Sequence, residues 1–420
     1  MAAPETPTGG SAALPRRRFG VRQSRSTAYA AVMSTGQETS SPAVRVSTLE
    51  LFFDLVFVFT VTQLTETLSE HPTAATFGNV VLILAVVWWM YSGYAWLTNA
   101  VAPNSTTRRT LLLTGMAGFL VMALAIPEAF GAYGWIFGIS YLVVNVVHSL
   151  LFRQAGPDAR VAMRMVTPLN ILSALLVLAG GFLPEPWRHL CWIAAPLVQI
   201  ATGYLHRIEM HSLVAGHFVE RHSLVMIIAI GESIIAIGLG FRGVELGLGA
   251  ILVAVLGLSI AYYLWWFYFA GDEERSEHVL ARTGDPRGRA RLALEAWGFA
   301  HFPMLLGIVV LAAGIKKTVG HAFDGMHWGE AIMLGGGVAL YLVGHAAFLW
   351  RLGLPGVPHR LVAAVLVLAT VPLGHTVAIA QLAAVPVLMI VFALVEDLPR
   401  VRRAGGSTEI STFGRTPAGD

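Results

Sequence analysis

Leu49-Glu50-Leu51-Phe52-Phe53-Asp54-Leu55-Val56-Phe57-Val58-Phe59 decides the fold class. The run stays predominantly apolar to Leu68, which is long enough for a helix to cross a hydrocarbon core. Two carboxylates interrupt the quoted stretch. Glu50 and Asp54 are four apart and so share one helix face, with Thr65 further along. A charge at mid-span costs at least about 2.5 kcal/mol, so both acids must face protein or water rather than lipid.

Working outward, the pattern repeats. Of the 420 residues, 55% are hydrophobic and 13% charged, against roughly a quarter charged in an ordinary soluble domain. Twelve apolar stretches are predicted as spans: Leu49–Leu68, Gly78–Leu97, Leu111–Ile126, Tyr133–Phe152, Val166–Leu183, Leu190–Leu205, Ser223–Phe241, Leu248–Phe269, Ala296–Ala313, Ala331–Trp350, Leu361–Leu373 and Thr376–Val395. Pro372 and Gly374 divide the last two, because one helix over that whole stretch would be too long. The fold class is therefore an all-α polytopic transmembrane bundle of about 12 spans.

Basic residues orient it. With both termini cytoplasmic, only Arg188, Arg242, Lys316 and Lys317 of the 28 Lys and Arg residues fall outside, as expected when cytoplasmic loops hold the excess. A missed span would invert every later loop. This topology, and the plasma (inner) membrane as location, also account for a pI of about 9.1 without nucleic acid as a partner. Residues 1–45, rich in Ala, Ser, Thr, Pro and Arg, are expected to be a disordered cytoplasmic tail, 46–397 the integral membrane domain and 398–420 a second disordered cytoplasmic tail. Arg16-Arg17-Arg18-Phe19 is not followed by the apolar region that an export signal needs. Arg275 to Arg291 reads as a solvated connector with a Gly-Asp-Pro turn at Gly284–Pro286.

The densest polar cluster runs from His206 through Glu209, His211, His217, Glu220, Arg221 and His222 to Glu232, which sits well inside an apolar span. Arg221 and Glu232 share a face but lie about 16 Å apart along a helix, so neither answers the other. Cross-helix pairs, Asp54 with Arg221 and Glu50 with a histidine, satisfy the same cost. His217, Glu220 and His222 offer metal donors, yet neither His-Glu-x-x-His nor a Cys/His framework is present, and no metal is expected. Nor is a cofactor expected: no phosphate loop, dinucleotide fingerprint or Ser/His/Asp order appears. The lone Cys191 can form no intrachain disulfide.

Secondary polar positions recur at helical spacing: Asn99 with Ser92 and Trp96, Asn145 and His148 with Tyr141, His345 with Tyr341, and the isolated His301. Trp88, Trp89, Tyr91, Tyr94, Trp265, Trp266 and Tyr268 read as an aromatic belt at span ends. His301-Phe302-Pro303 puts a proline inside a span, where the lost backbone hydrogen bond must be repaired by a neighbour.

Glu50 to Phe59, His217-Phe218-Val219-Glu220-Arg221-His222 leading to Gly231-Glu232-Ser233, Trp96 with Asn99, the Tyr141–His148 segment and His301-Phe302-Pro303 together resemble the bacterial low temperature requirement A family, over about Val46 to Glu396. The resemblance implies an integral membrane protein and no settled substrate or reaction. The residues favour a transporter or ion-translocating protein with an intramembrane acid/His/Arg site. The rival readings are an intramembrane enzyme acting on a lipid or isoprenoid, with Asp54 or Glu232 as general acid, and a non-catalytic scaffold or sensor. Membrane lipids and an unidentified small solute or ion are the expected partners, and a homo-oligomer is left open.

Overall fold

The structure, a computed structural model, describes residues 46–205 and 213–403. The tails expected before residue 46 and after residue 403, and His206, Glu209 and His211, lie outside the described residues. Fifteen α-helices and no strand occur among the described residues: α1 Thr48–Glu70, α2 Ala74–Ala100, α3 Thr106–Ala125, α4 Gly134–Phe152, α5 Pro157–Phe182, α6 Trp187–Leu205, α7 Ala215–Gly240, α8 Leu248–Phe269, α9 Asp272–Arg282, α10 Pro286–Ala293, α11 His301–Thr318, α12 Trp328–Leu352, α13 Val357–Leu368, α14 Val371–Thr376 and α15 Ala378–Arg403. Caps set the starts. Ser47 and Glu50 form a reciprocal capping box on α1, and Thr73, Ser105 and Asp285 accept the first free amides of α2, α3 and α10.

Among the described residues, eleven helical segments are long and apolar enough to cross a membrane, so this is a multi-pass membrane protein. The remaining expected span, Leu190–Leu205, is the 19-residue helix α6, which Arg188, His189 and Gln199 make less apolar. The break expected at Pro372 and Gly374 is displaced. The helix kinks earlier, at Ala369 and Thr370, and turns over at the extended Val377. The expected solvated connector after α8 is instead two helices, and Asp272, Ser276 and Leu280 are buried against the bundle.

Contact pairs fix the arrangement. Glu50, Asp54 and Thr62 of α1 meet His217, Arg221 and Glu232 of α7 in ascending order, so these two helices run parallel. Lys316 near the end of α11 meets Glu66 near the end of α1, and His301 at its start stacks edge-on against His222 of α7. α11 therefore runs the same way and is buried along almost its whole length. α12 returns antiparallel to it at very short range: a Cβ on Gly307 would lie 2.6 Å from the Gly337 carbonyl. Only glycine permits that approach, the small-residue packing that holds membrane helices together. At the end of the bundle where α1 starts, Glu277 of α9 abuts Gly216 of α7, and Asp272 leads through His345 and Arg360 to Glu396. The first and last helices thus meet the same end.

Candidate functional site

The seam between α1 and α7 gathers most of the polar side chains singled out above. Asp54 accepts one hydrogen bond from Arg221, Nη1 to Oδ2 at 3.0 Å, and its Oδ1 lies in ion-pair contact with Nη2 at 3.0 Å. Tyr91 of α2 donates its hydroxyl to Oδ1 at 2.7 Å. Arg221 also donates to the Glu50 carbonyl at 2.7 Å and lies over the rings of Phe53 and Tyr91. Asp54 and Arg221 are both fully buried. A planar fork on a carboxylate is the strongest pairing two such groups can make, and removing both from water demands it.

One turn earlier, Glu50 divides its oxygens. Oε2 accepts from the Ser47 amide at 2.8 Å and hydroxyl at 2.7 Å, and Oε1 lies 3.2 Å from His217 Nε2. Asn99 of α2 sets the imidazole: its amide exchanges hydrogen bonds with the Val214 backbone and approaches His217 Nδ1 at 3.4 Å. With Nδ1 turned to Asn99, Nε2 faces the Glu50 carboxylate. Both expected cross-helix pairs, Asp54 with Arg221 and Glu50 with a histidine, are therefore present. Glu220 stands at the rim, accepting from the Val46 amide.

His222 and Glu232 point elsewhere. His222 donates Nδ1–H to the Phe218 carbonyl one turn back on α7. Glu232 accepts from Thr62 at 2.7 Å. Thr62 is eight residues beyond Asp54, about 12 Å along α1, so Glu232 occupies a second level of the same seam. Its Oε1 is buried with no hydrogen-bond partner. A turn further, Glu66 pairs with Lys316, a lysine that the sequence placed in a loop and that lies in the last turn of α11.

The other candidates scatter. Asn145 caps back onto the Tyr141 carbonyl, and His148 donates Nε2–H to the Gly93 carbonyl at 3.1 Å. His301 gives Nδ1–H to Ala296 O and receives the Tyr268 hydroxyl at 2.8 Å. His345 accepts from Arg360 and faces Asp272 at 3.4 Å, within a buried network that Glu396 completes. Among the described residues no group of three His, Cys, Asp or Glu side chains converges on a metal position.

The aromatic-belt reading does not hold for four of its residues. Trp88, Tyr91, Tyr94 and Tyr268 are buried in the bundle, and their polar atoms bond inward. Their position showed it: Trp88 and Tyr91 stand mid-helix in α2, where no interface exists. The site also contains Thr62 and Tyr91, which residue type alone did not single out.

The match to known proteins covers this membrane domain. The profile described as bacterial low temperature requirement A protein matches residues 45–395. The uncharacterized protein RA0937 of Rhizobium meliloti (strain 1021) is 29% identical over 323 residues, spanning 73% of this chain and 78% of the relative. The matched region begins just before the α1 capping box and ends at the last apolar turn of α15, and so contains every charge of the seam. The chain belongs to the bacterial low temperature requirement A protein family.

Proposed function

We propose that this is a membrane transporter that moves protons or small cations, with the α1–α7 seam as its charge-carrying path. One observation supports the reading most: the seam buries acids in excess of cations at both levels. Glu50 and Asp54 stand against Arg221, with the titratable His217 on Glu50, and Glu232 stands beside the Glu66–Lys316 pair with one carboxylate oxygen unpartnered. A proton or cation brings either level to neutrality, and uncompensated charge in this setting costs several kcal/mol. A purely structural clamp needs only Asp54 and Arg221.

The topology that suits this reading has twelve spans with both termini in the cytoplasm of the plasma membrane. Parallel α1 and α7 fit an odd number of crossings between them, which supports counting α6 as a span. Charge asymmetry puts the Glu50 end inside.

Proton and monovalent-cation flux into liposomes holding the purified protein tests it. Glu232→Gln keeps the shape and the Thr62 bond, so it is expected to elute and fold as the wild type while losing most of the flux. Absence of flux from folded wild type under either sign of gradient would overturn the proposal and leave the intramembrane enzyme and the scaffold.

A further inference from the structure

A cavity of about 570 Å³ lies beside Trp88, inside the range of small-molecule sites, roughly 300–1,000 Å³. α2, α4, α5 and α6 wall it on one side, and α10 with the π-helical turn Leu294–Phe299 closes the other. Rings dominate the wall: Trp88, Trp89, Trp96, Phe299 and Phe302 all line it. Two further lining residues, Ile200 and Tyr204, continue the exposed stripe that Leu190, Ile193 and Leu197 begin along α6. That spacing is one face of a helix, here the face turned to lipid, so the cavity adjoins the hydrocarbon of the bilayer.

Halfway along α5, Asn170 sets a polar point in this apolar wall. The Trp89 indole can only donate, and it gives Nε1–H to Asn170 Oδ1 at 3.3 Å. The amide is thereby fixed with Nδ2 turned away from the indole. Asn170 is buried, and no acceptor among the described residues meets Nδ2. His148 Nδ1 and Gln199 Oε1 are enclosed by protein, whereas Nδ2 keeps surface of its own on the cavity. Ser92, one turn beyond Trp89 on the same face of α2, adds a buried hydroxyl to the lining. Donors left unmatched in an apolar wall ask for an acceptor. The charges at the cytoplasmic rim are already answered: Arg291 pairs with Glu295, Asp285 accepts the first amides of α10, and Arg287 is engaged. An ionic head would have to break one of these contacts.

From these walls we infer that the cavity binds a neutral isoprenoid quinone drawn from the bilayer. Its flat ring lies among the tryptophans, a ring carbonyl accepts from Asn170 Nδ2, with Ser92 as a second donor, and its tail passes Ile200 toward lipid. Aromatic walls favour a flat π-system beyond the area it buries. The donors answer a carbonyl, and the lipid-facing side admits an apolar tail. A saturated chain leaves both the rings and the donors unused.

Equilibrium binding of a radiolabelled short-tailed menaquinone to the full chain in phosphatidylcholine nanodiscs tests the assignment. Saturable binding is expected, with the naphthalene analogue that keeps ring and tail but lacks the carbonyls competing at least about tenfold more weakly. Asn170→Leu is expected to weaken the quinone by about tenfold or more while leaving the naphthalene analogue unchanged, a difference that a merely distorted cavity would not give. Val166→Trp, which fills the cavity one turn from Asn170, is expected to abolish binding of both. Each variant is compared at matched elution and melting. No saturable binding, equal competition by the naphthalene analogue, or equal loss of both ligands in Asn170→Leu would overturn the proposal. Binding unchanged in both variants would overturn it too, marking attachment at the lipid-facing surface.

Discussion

A buried Asp54 facing Arg221 gains from pairing and loses from exposure to an apolar wall, and the two can be separated by substitution. Removing one partner strands the other charge, so Asp54→Asn and Arg221→Met are each expected to destabilise by about 3–5 kcal/mol. The double variant Asp54→Leu with Arg221→Met removes both charges and is expected to recover most of that loss, read as the melting temperature of the protein in detergent. Double-mutant coupling near zero would mean the two groups do not depend on each other. This pair was legible in the sequence because the cost of an intramembrane charge forces a partner, and Glu50 with His217 followed by the same logic. Thr62 and Tyr91 were not legible. A threonine carries no charge to explain, and a tyrosine in an apolar span is read as an interface residue until its neighbours are known. The double role of Glu50, half helix cap and half partner of His217, was written in Ser47-x-x-Glu50.

Pro303 illustrates how an element repairs a defect it carries. It lacks an amide hydrogen and falls in the first turn of α11, directly after the π-helical turn Leu294–Phe299. Beside it, Trp88 of α2 donates Nε1–H to the Gly298 carbonyl at 2.6 Å. The sequence predicted a break at the proline and a repair by a neighbour; the identity of that neighbour depends on helix packing that no local pattern encodes. Trp88→Phe keeps an aromatic ring but leaves the carbonyl buried without a donor, an expected loss of about 1–3 kcal/mol. Pro303→Ala adds a backbone N–H about one turn on from Gly298, so in the Trp88→Phe background it is expected to recover stability that it does not add beside Trp88. Thermal melting of the four proteins gives the coupling. Additive effects would show that the indole matters only as packing.

At the scale of the whole molecule, hydropathy made the membrane class and the helix positions legible, since apolar length is a property of the chain itself. α6 is the expected span that falls short of the apolar helices, with Gln199 turned inward and Arg188 and His189 at its start. Packing supplies what composition lacks. If α6 did not cross, α7 would run opposite to α1, and the ordered meeting of Glu50, Asp54 and Thr62 with His217, Arg221 and Glu232 could not form in one seam. Single cysteines in a Cys191→Ser background therefore decide the count. With α6 and α7 both crossing, Glu185→Cys and Gly243→Cys lie on the same face of the membrane, and an impermeant maleimide is expected to label both in intact cells. Gly156→Cys and Gly284→Cys are expected to react only after permeabilisation. Labelling of Glu185→Cys and Gly243→Cys from opposite faces would remove α6 from the spans, break the parallel pairing, and take the charge path of the α1–α7 seam with it.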